Sequence, residues 1–213
     1  MAKLNYYLKT ALGLLLLLLL SCQRRQRDFF PLVPNAVRIM QVTETKVIGQ
    51  NTNTTSEVKV TEVVKGIKDV PRLGRVWVVE VPLATGKSLM NFYERKGDTV
   101  FKLIPGRDGT PERIVYLVLP LVVGKKWYDN ATMREETEVI AQESVTVPAG
   151  HFANCFCLET KSKRVNFHQK IWLAPGLGIV KRVKQHSWNR GDTTWQLFRQ
   201  EELVEYQITK SPK

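Results

Sequence analysis

Hydrophobic residues beyond Asp28 alternate with polar ones in short runs and rarely recur at helical spacing. The alternation is clear where Val58 and Val60 flank Lys59, and again over Val204–Ile208. A period of two places alternate side chains on a buried sheet face and on a face in water. The pattern therefore predicts antiparallel strands separated by turns.

Runs rich in β-branched and aromatic residues are bounded by glycine, proline, asparagine or aspartate at spacings of about ten residues. The predicted strands are Ala36–Val47, Glu57–Lys65, Arg75–Pro82, Leu89–Arg95, Thr99–Ile104, Glu112–Leu119, Glu136–Val147, Asn154–Ser162, Val165–Leu173, Ile179–Gln185 and Val204–Ile208. A helix is the alternative over Thr193–Val204, because Trp195 and Phe198 are three residues apart. We predict a mainly β protein of about ten strands, forming one domain over residues 29–213.

The first 21 residues have the layout of a secretory signal peptide. Lys3 and Lys9 precede the apolar run Ala11–Leu20, which contains eight leucines, and Ser21 is a small residue directly before Cys22. The run is shorter than the roughly 18 to 20 residues that span a bilayer, so a transmembrane helix is the weaker interpretation.

The segment Leu19–Cys22 resembles the lipobox of bacterial lipoproteins. The resemblance implies cleavage before Cys22, lipidation of its sulfur and acylation of the new amino group. Gln23 stands where an aspartate would retain a lipoprotein in the inner membrane, so the resemblance implies outer-membrane sorting. Residues 22–28 would then be a lipidated tether whose three arginines lie beside the headgroups. The alternatives are a plain signal peptide with an incidental cysteine and a soluble basic tether.

Four short motifs follow one another along the remaining chain. They are Phe29–Leu32, Leu119–Leu121 with Gly124–Trp127, Val145–Phe152 and Trp172–Lys181. This layout is similar to that of exported bacterial proteins and lipoproteins of unknown function. The resemblance implies a curved antiparallel sheet or open half-barrel, related to those that carry lipoproteins across the periplasm. One departure is Pro34–Val37, where the first motif normally continues into glycine and tryptophan.

The motif residues also have a plain structural explanation. Pro148 fixes φ and Gly150 permits positive φ, which together make a tight turn that directs Phe152 into the core. Trp127 is likewise interpreted as a core residue. We therefore predict that the motifs build turns and core, and that they do not form a ligand site.

Lysine and arginine outnumber aspartate and glutamate by 32 to 20, so the net charge of +12 favours anionic partners. Between Lys161 and Arg190 there are eight cations and no carboxylate. The candidate anion-binding residues are Lys161, Lys163, Arg164, Lys170, Lys181, Arg182 and Lys184. Export argues against nucleic acid, which leaves anionic lipid, lipopolysaccharide or an acidic envelope protein as partners. The alternative is a solvated basic hairpin.

Residues that support other chemistry are scarce. The three histidines have no cysteine or carboxylate at metal-ligand spacing, so neither a metal site nor a cofactor is predicted. No nucleophile elbow or phosphate loop occurs. Cys155 and Cys157 lie two apart, so they share a strand face and are interpreted as small residues in a covered sheet, with pairing elsewhere or metal binding as alternatives.

The sequence thus favours a non-enzymatic, lipid-anchored protein of the bacterial envelope, more readily at the outer membrane than the inner. It would bind an amphiphilic ligand or an envelope protein partner. The alternatives are an envelope hydrolase acting on polysaccharide or lipid, and a purely structural surface lipoprotein.

Overall fold

The computed structural model describes residues 28–50, 52–106, 110–129, 135–162 and 165–208. The predicted signal peptide, the predicted lipidation site Cys22, and two of the candidate cations, Lys163 and Arg164, lie outside the described residues. The strands are β1 (Val37–Ile48), β2 (Thr52–Val70), β3 (Gly74–Pro82), β4 (Ser88–Lys96), β5 (Thr99–Pro105), β6 (Pro111–Val118), β7 (Lys126–Tyr128), β8 (Glu135–Val147), β9 (Gly150–Ser162), β10 (Asn166–Ala174), β11 (Gly178–Arg190) and β12 (Thr193–Gln207).

All twelve strands belong to one antiparallel sheet with the order β6-β5-β4-β3-β2-β1-β12-β11-β10-β9-β8-β7. The first strand, β1, pairs with the last strand, β12, in the middle of this order, which leaves β6 and β7 as the edges. The sheet is nearly closed as a barrel. Between these edges, Lys125 Nζ donates hydrogen bonds of 2.9 Å to the carbonyl oxygens of Leu119 and Pro120. These two bonds hold together the segment that connects the edge strands.

The prediction of a curved, mainly antiparallel β fold of about ten strands is confirmed. The helical alternative over Thr193–Val204 is wrong, because this stretch pairs with β1 and β11 throughout its length. Trp195 and Phe198 point to opposite sheet faces, since Trp195 lies opposite Trp188 and Phe198 lies opposite Gln185. The sequence prediction also missed β7, which has only three residues.

The inner face of the barrel carries the main core. Its buried members include Met40, Val42, Leu158, Ile171 and Leu203, which are at most 4% exposed. Trp127, predicted as a core residue, also belongs to this cluster and is 7% exposed. Burial at this face is the main source of stability, at about 25 cal/mol per Å² of apolar surface removed from water.

The first motif closes one end of the barrel, which we call the plugged end. Phe30 packs against Tyr93 and Tyr116 with ring centroids 5.1 and 5.4 Å away, and Phe29 packs against Phe156 at 5.0 Å. Both phenylalanines are buried. The opposite end, at which β1 finishes and β2 begins, is called the open end.

Hydrogen bonds fix this plug to both sides of the barrel. The Gly176 amide in the β10–β11 turn donates to the Asp28 carbonyl oxygen at 2.7 Å, and Arg95 on β4 donates to the Asp28 carboxylate at 3.1 Å. Gly178 has a φ of +89°, and a Cβ there would lie 2.9 Å from Arg38 Nη1. The first motif, which forms the plug, therefore packs against the turn formed by the last motif. This contact is consistent with a structural role for both motifs.

Candidate functional site

Strand alternation divides the predicted basic stretch between the two faces of the sheet. On β11, Lys181 lies opposite Trp172 and faces outward, whereas Arg182 lies opposite the buried Ile171 and faces inward. Lys184 shares the inner face with Arg182. The candidate cations therefore do not form one surface.

The outward-facing candidates have carboxylate partners. Glu159 accepts from Lys161 at 2.7 Å and lies 3.7 Å from Lys170, while Lys181 donates to Glu202 at 2.7 Å. The absence of acidic residues from the stretch is thus offset by strands on either side of it. Pairs that remain in contact with solvent contribute little net stability, about 0 to 1 kcal/mol each.

Arg182 is the best-partnered cation of the inner face. Its Nη1 donates to Glu201 Oε2 at 2.6 Å, and Arg199 Nε donates to Glu201 Oε1 at 2.8 Å. Burial alone would raise the pKa of Glu201, but Arg182 and Lys184 outweigh it, so the pKa is lowered. Glu201 is consequently a charged carboxylate in the interior, with both oxygens engaged by arginines.

Lys184 and Lys102 are cations of the same interior without such partners. Among the described residues neither makes an ion pair with a carboxylate. Burial, and then the positive charge of Arg182, lowers the pKa of Lys184 to about 8. The same two causes lower the pKa of Lys102 on β5. We call Lys102, Arg182 and Lys184 the interior basic site.

Other charged groups near this site are mostly committed to each other. Arg38 binds Glu62 at 2.9 Å, and Glu44 accepts from Arg199 at 3.4 Å. Glu135 lies near enough to Lys184 for that charge to act on it, yet burial and Asp129 raise its pKa. Within the described part of the chain, the acidic side chains of the interior therefore leave the two lysines without a carboxylate at hydrogen-bond distance.

A cavity of about 210 Å³ adjoins the site. Its polar lining includes Arg182, Lys184, Arg199, Glu201 and Glu62, and its apolar lining includes Met40, Val42, Val60, Val81 and Leu89. Leu89 is 55% exposed, which shows that the cavity reaches solvent on the side of β3 and β4. The cavity is thus a partly apolar space with cations on one wall.

Aromatic side chains continue the inner face from the site to the open end. Phe167 and His186 have ring centroids 6.3 Å apart, His186 and Trp188 are 5.1 Å apart, and Trp188 stacks on Trp195 at 6.1 Å. Trp188 is 39% exposed. We call these four residues the aromatic wall, and it gives the open end an apolar lining with polar edges.

The two described cysteines are buried under a pair of polar side chains. Cys157 lies opposite Trp172 and Cys155 opposite Glu143, and the Trp172 indole N–H donates to Glu143 at 2.7 Å. Burial, and then the charge of Glu143, raises the pKa of both thiols to about 11. The thiols are free and buried, consistent with small residues in a covered sheet face.

Sequence reasoning identified Arg182 and Lys184 but missed Lys102 and Glu201. Lys102 is 80 positions before Arg182 along the chain, and only the curvature of the sheet brings β5 opposite β11. Within the described ranges, no three histidine, cysteine or acidic side chains lie together in a way that could hold a metal ion. No helix among these residues is long and apolar enough to span a membrane.

Comparison with known proteins gives structural similarity at low identity. No protein-family model matches the chain, and no curated protein matches it. It is similar to a Bacteroides fragilis protein described as exported with a YmcC-like fold, at TM-score 0.47 and 15% identity over 85% of this chain and 99% of that one. It is also similar to a Parabacteroides distasonis protein described as a lipoprotein, at TM-score 0.43 and 16% sequence identity over 86% of this chain and 100% of that one. Similarity to a LolA superfamily protein from Nitrosomonas europaea has a TM-score of 0.22 and 9% sequence identity, over 84% of this chain and 89% of that one.

Proposed function

We propose that this chain is a lipid-anchored protein of the bacterial envelope that binds an amphiphilic ligand inside its curved sheet and catalyses no reaction. The observation that supports binding is the order of groups along the inner face. The interior basic site lies in the middle of the barrel, and the aromatic wall extends from it to the open end. An amphiphile has the matching order, with an anionic head followed by an apolar body.

The size of the cavity indicates which part of such a ligand lies within it. Pockets that enclose a drug-sized ligand are about 300 to 1,000 Å³, so a cavity of about 210 Å³ is suited to a headgroup and not to a whole lipid. The rest of the ligand would lie along Trp188 and Trp195, which are stacked at the open end. This arrangement favours ligand binding over a purely structural surface role.

The anchoring part of the proposal depends on Cys22 and the sequence around it. A diacylglycerol and a further acyl chain hold a protein on a bilayer far more firmly than one chain does. We place the protein at the outer membrane on account of Gln23, and we assign it no nucleic acid, metal or cofactor.

The test is purification of the protein from its native membrane in parallel with two variants, followed by mass spectrometry of the lipids that co-purify. The variant Trp188→Ala, Trp195→Ala removes stacked rings from the inner face. The control Phe198→Ala removes a 38% exposed ring from the outer face of the same strand as Trp195. We expect an amphiphile in near-stoichiometric amount with the wild type and the control, and its loss from the inner-face variant. Equal lipid content in all three samples would refute binding at the aromatic wall.

A further inference from the structure

The interior basic site has a feature that a general affinity for amphiphiles does not require. Lys184 on β11 lines the cavity beside Arg182, and Lys102 on β5, which lies opposite Tyr93, belongs to the same inner face on a different wall of the barrel. Like charges repel, and removing them from water is costly. An arrangement of this kind is stabilised when an anion occupies the cavity beside Lys184.

The donors of the site suit an anion with several oxygen atoms. Arg182 uses one nitrogen of its guanidinium to bind Glu201, and a guanidinium has five N–H donors. Each lysine ammonium adds up to three donors that can rotate towards a ligand. A carboxylate has two oxygens in one plane, whereas a phosphoryl group has three or more oxygens and carries about 1.5 to 2 negative charges when it is a monoester.

On the basis of the proposed function, we propose that the interior basic site binds the phosphoryl headgroup of an amphiphile, with Arg182 and Lys184 holding its oxygens on the cavity wall and Lys102 adding positive charge from β5. The apolar body of the ligand leaves the cavity past Leu89 and the aromatic wall. This assignment adds Lys102 to the residues that the sequence suggested and removes Lys161, Lys170 and Lys181, which already bind Glu159 or Glu202.

The experiment measures ligand binding by calorimetry to the mature protein in zwitterionic nanodiscs, using three soluble probes. Dihexanoyl phosphatidic acid has the phosphoryl group and the apolar body, dihexanoyl glycerol has only the body, and glycerol 3-phosphate has only the phosphoryl group. We expect phosphatidic acid to bind about tenfold or more tightly than either of the others. Glycerol 3-phosphate binding as tightly as phosphatidic acid would overturn the headgroup assignment in favour of a free phosphate.

Substitutions then separate this inference from the proposed function. Lys184→Gln should weaken phosphatidic acid binding by about tenfold, because a charge-assisted hydrogen bond is lost. Lys102→Gln should weaken it by less, because it removes only a nearby positive charge. The matched control Lys170→Gln removes an outer-face lysine and should bind as the wild type does. If both inner-face variants bind phosphatidic acid normally, the phosphoryl site is wrong while amphiphile binding stands. If neither phosphatidic acid nor dihexanoyl glycerol binds to any protein, both proposals fail.

A pH series on the wild type keeps the inference testable if a glutamine variant misfolds. Lys184 holds its proton below a pKa of about 8 in the free protein, so affinity for phosphatidic acid should fall as the pH rises from 8 to 9.5. The groups that face Lys184 include Arg182, Arg199, Lys102, Glu201 and Glu135. Lys184→Arg keeps its charge over this range and should show a smaller fall. A wild-type affinity that is constant from pH 7 to 9.5 would contradict the role of Lys184.

Discussion

Arg182 and Glu201 form a 2.6 Å ion pair between adjacent strands on the inner face of the barrel. Their side chains are 17% and 6% exposed, so both charges are largely removed from water. Removing one partner of such a buried pair strongly destabilises the folded protein, because the charge of the other partner is left buried without a counter-charge.

Glu201→Gln should lower the free energy of unfolding by about 3 kcal/mol or more, because Arg182 loses its carboxylate partner and Arg199 keeps only Glu44. Replacing the pair together by Arg182→Met and Glu201→Leu should cost much less, since Arg182 is then no longer a buried charge without a partner, and Arg199 is 34% exposed and keeps Glu44. Urea unfolding of the single and double variants measures both quantities. A double variant as unstable as Glu201→Gln would contradict this account.

Phe30→Ala should destabilise the protein by about 3 to 5 kcal/mol, because it empties the aromatic cluster with Tyr93 and Tyr116 at the plugged end. Tyr93 and Tyr116 are themselves 5.5 Å apart and would face a new cavity. Thermal unfolding is the measurement, and Phe198→Ala is the matched control because its ring is 38% exposed. Similar losses for the two variants would show that Phe30 is not a plug.

The folded protein should lose stability in acid because folding lowers the pKa of Glu159. A hydrogen bond from Lys161, followed by one from His168, lowers the pKa of Glu159 to about 2, against an ordinary value of 4.5. A carboxyl group whose pKa is lowered by folding stabilises the protein above the ordinary pKa, and this contribution is lost as the pH falls from 4.5 towards 2. Glu159→Gln should therefore cost about 1 kcal/mol at pH 7, after allowance for screening of the exposed partners. The difference from the wild type should shrink as the pH falls towards 2 and vanish below it, and a difference that persists there would need another cause.

Cys155 and Cys157 should resist alkylation in the folded protein. Their thiols are buried and their pKa is raised to about 11, so little thiolate is present at pH 7.5. Iodoacetamide should label both only after denaturation. Trp172→Phe, which removes the hydrogen bond to Glu143, should speed labelling of the native state. Rapid labelling of the native wild type would mean that the two thiols are accessible.

Cys22→Ala should abolish metabolic labelling with radioactive palmitate and release the protein from membranes, because the short apolar run cannot anchor the chain. Cys155→Ala and Cys157→Ala provide matched controls and should retain the label. A protein that stays on the membrane after Cys22→Ala with its signal peptide removed would exclude the lipobox.

The fold was predictable from sequence because it depends on a local signal. Alternation of polar and apolar residues identified β2 without knowledge of its neighbours, and a β-branched run bounded by turn residues identified β11. The signal failed over Thr193–Val204, where Trp195 and Phe198 imitate helical spacing although their rings lie on opposite faces of β12. It also failed at β7, because three residues are too few to show a period.

The interior site was predictable only in part, since it depends on which strands face each other across the barrel. Arg182 and Lys184 belong to a basic stretch that is visible in the sequence, but Lys102 stands on β5 without any local pattern. The same limit hid the partners of the outward lysines, because Glu202 reaches Lys181 through strand pairing. Local patterns define strands, whereas the identity of cross-barrel neighbours requires the closed sheet.

The bonds that hold Asp28 at the plugged end also set how the protein would stand on a membrane. Cys22 is six residues before Asp28, and six extended residues reach at most about 20 Å. A lipidated Cys22 would thus keep the plug beside its own bilayer, while β11, with 13 residues, extends about 40 Å towards the other end. With the barrel axis along the membrane normal, the open end would face away from the anchoring leaflet. A ligand would then arrive by hand-over from a carrier or a second membrane and not by diffusion out of the lipid beneath.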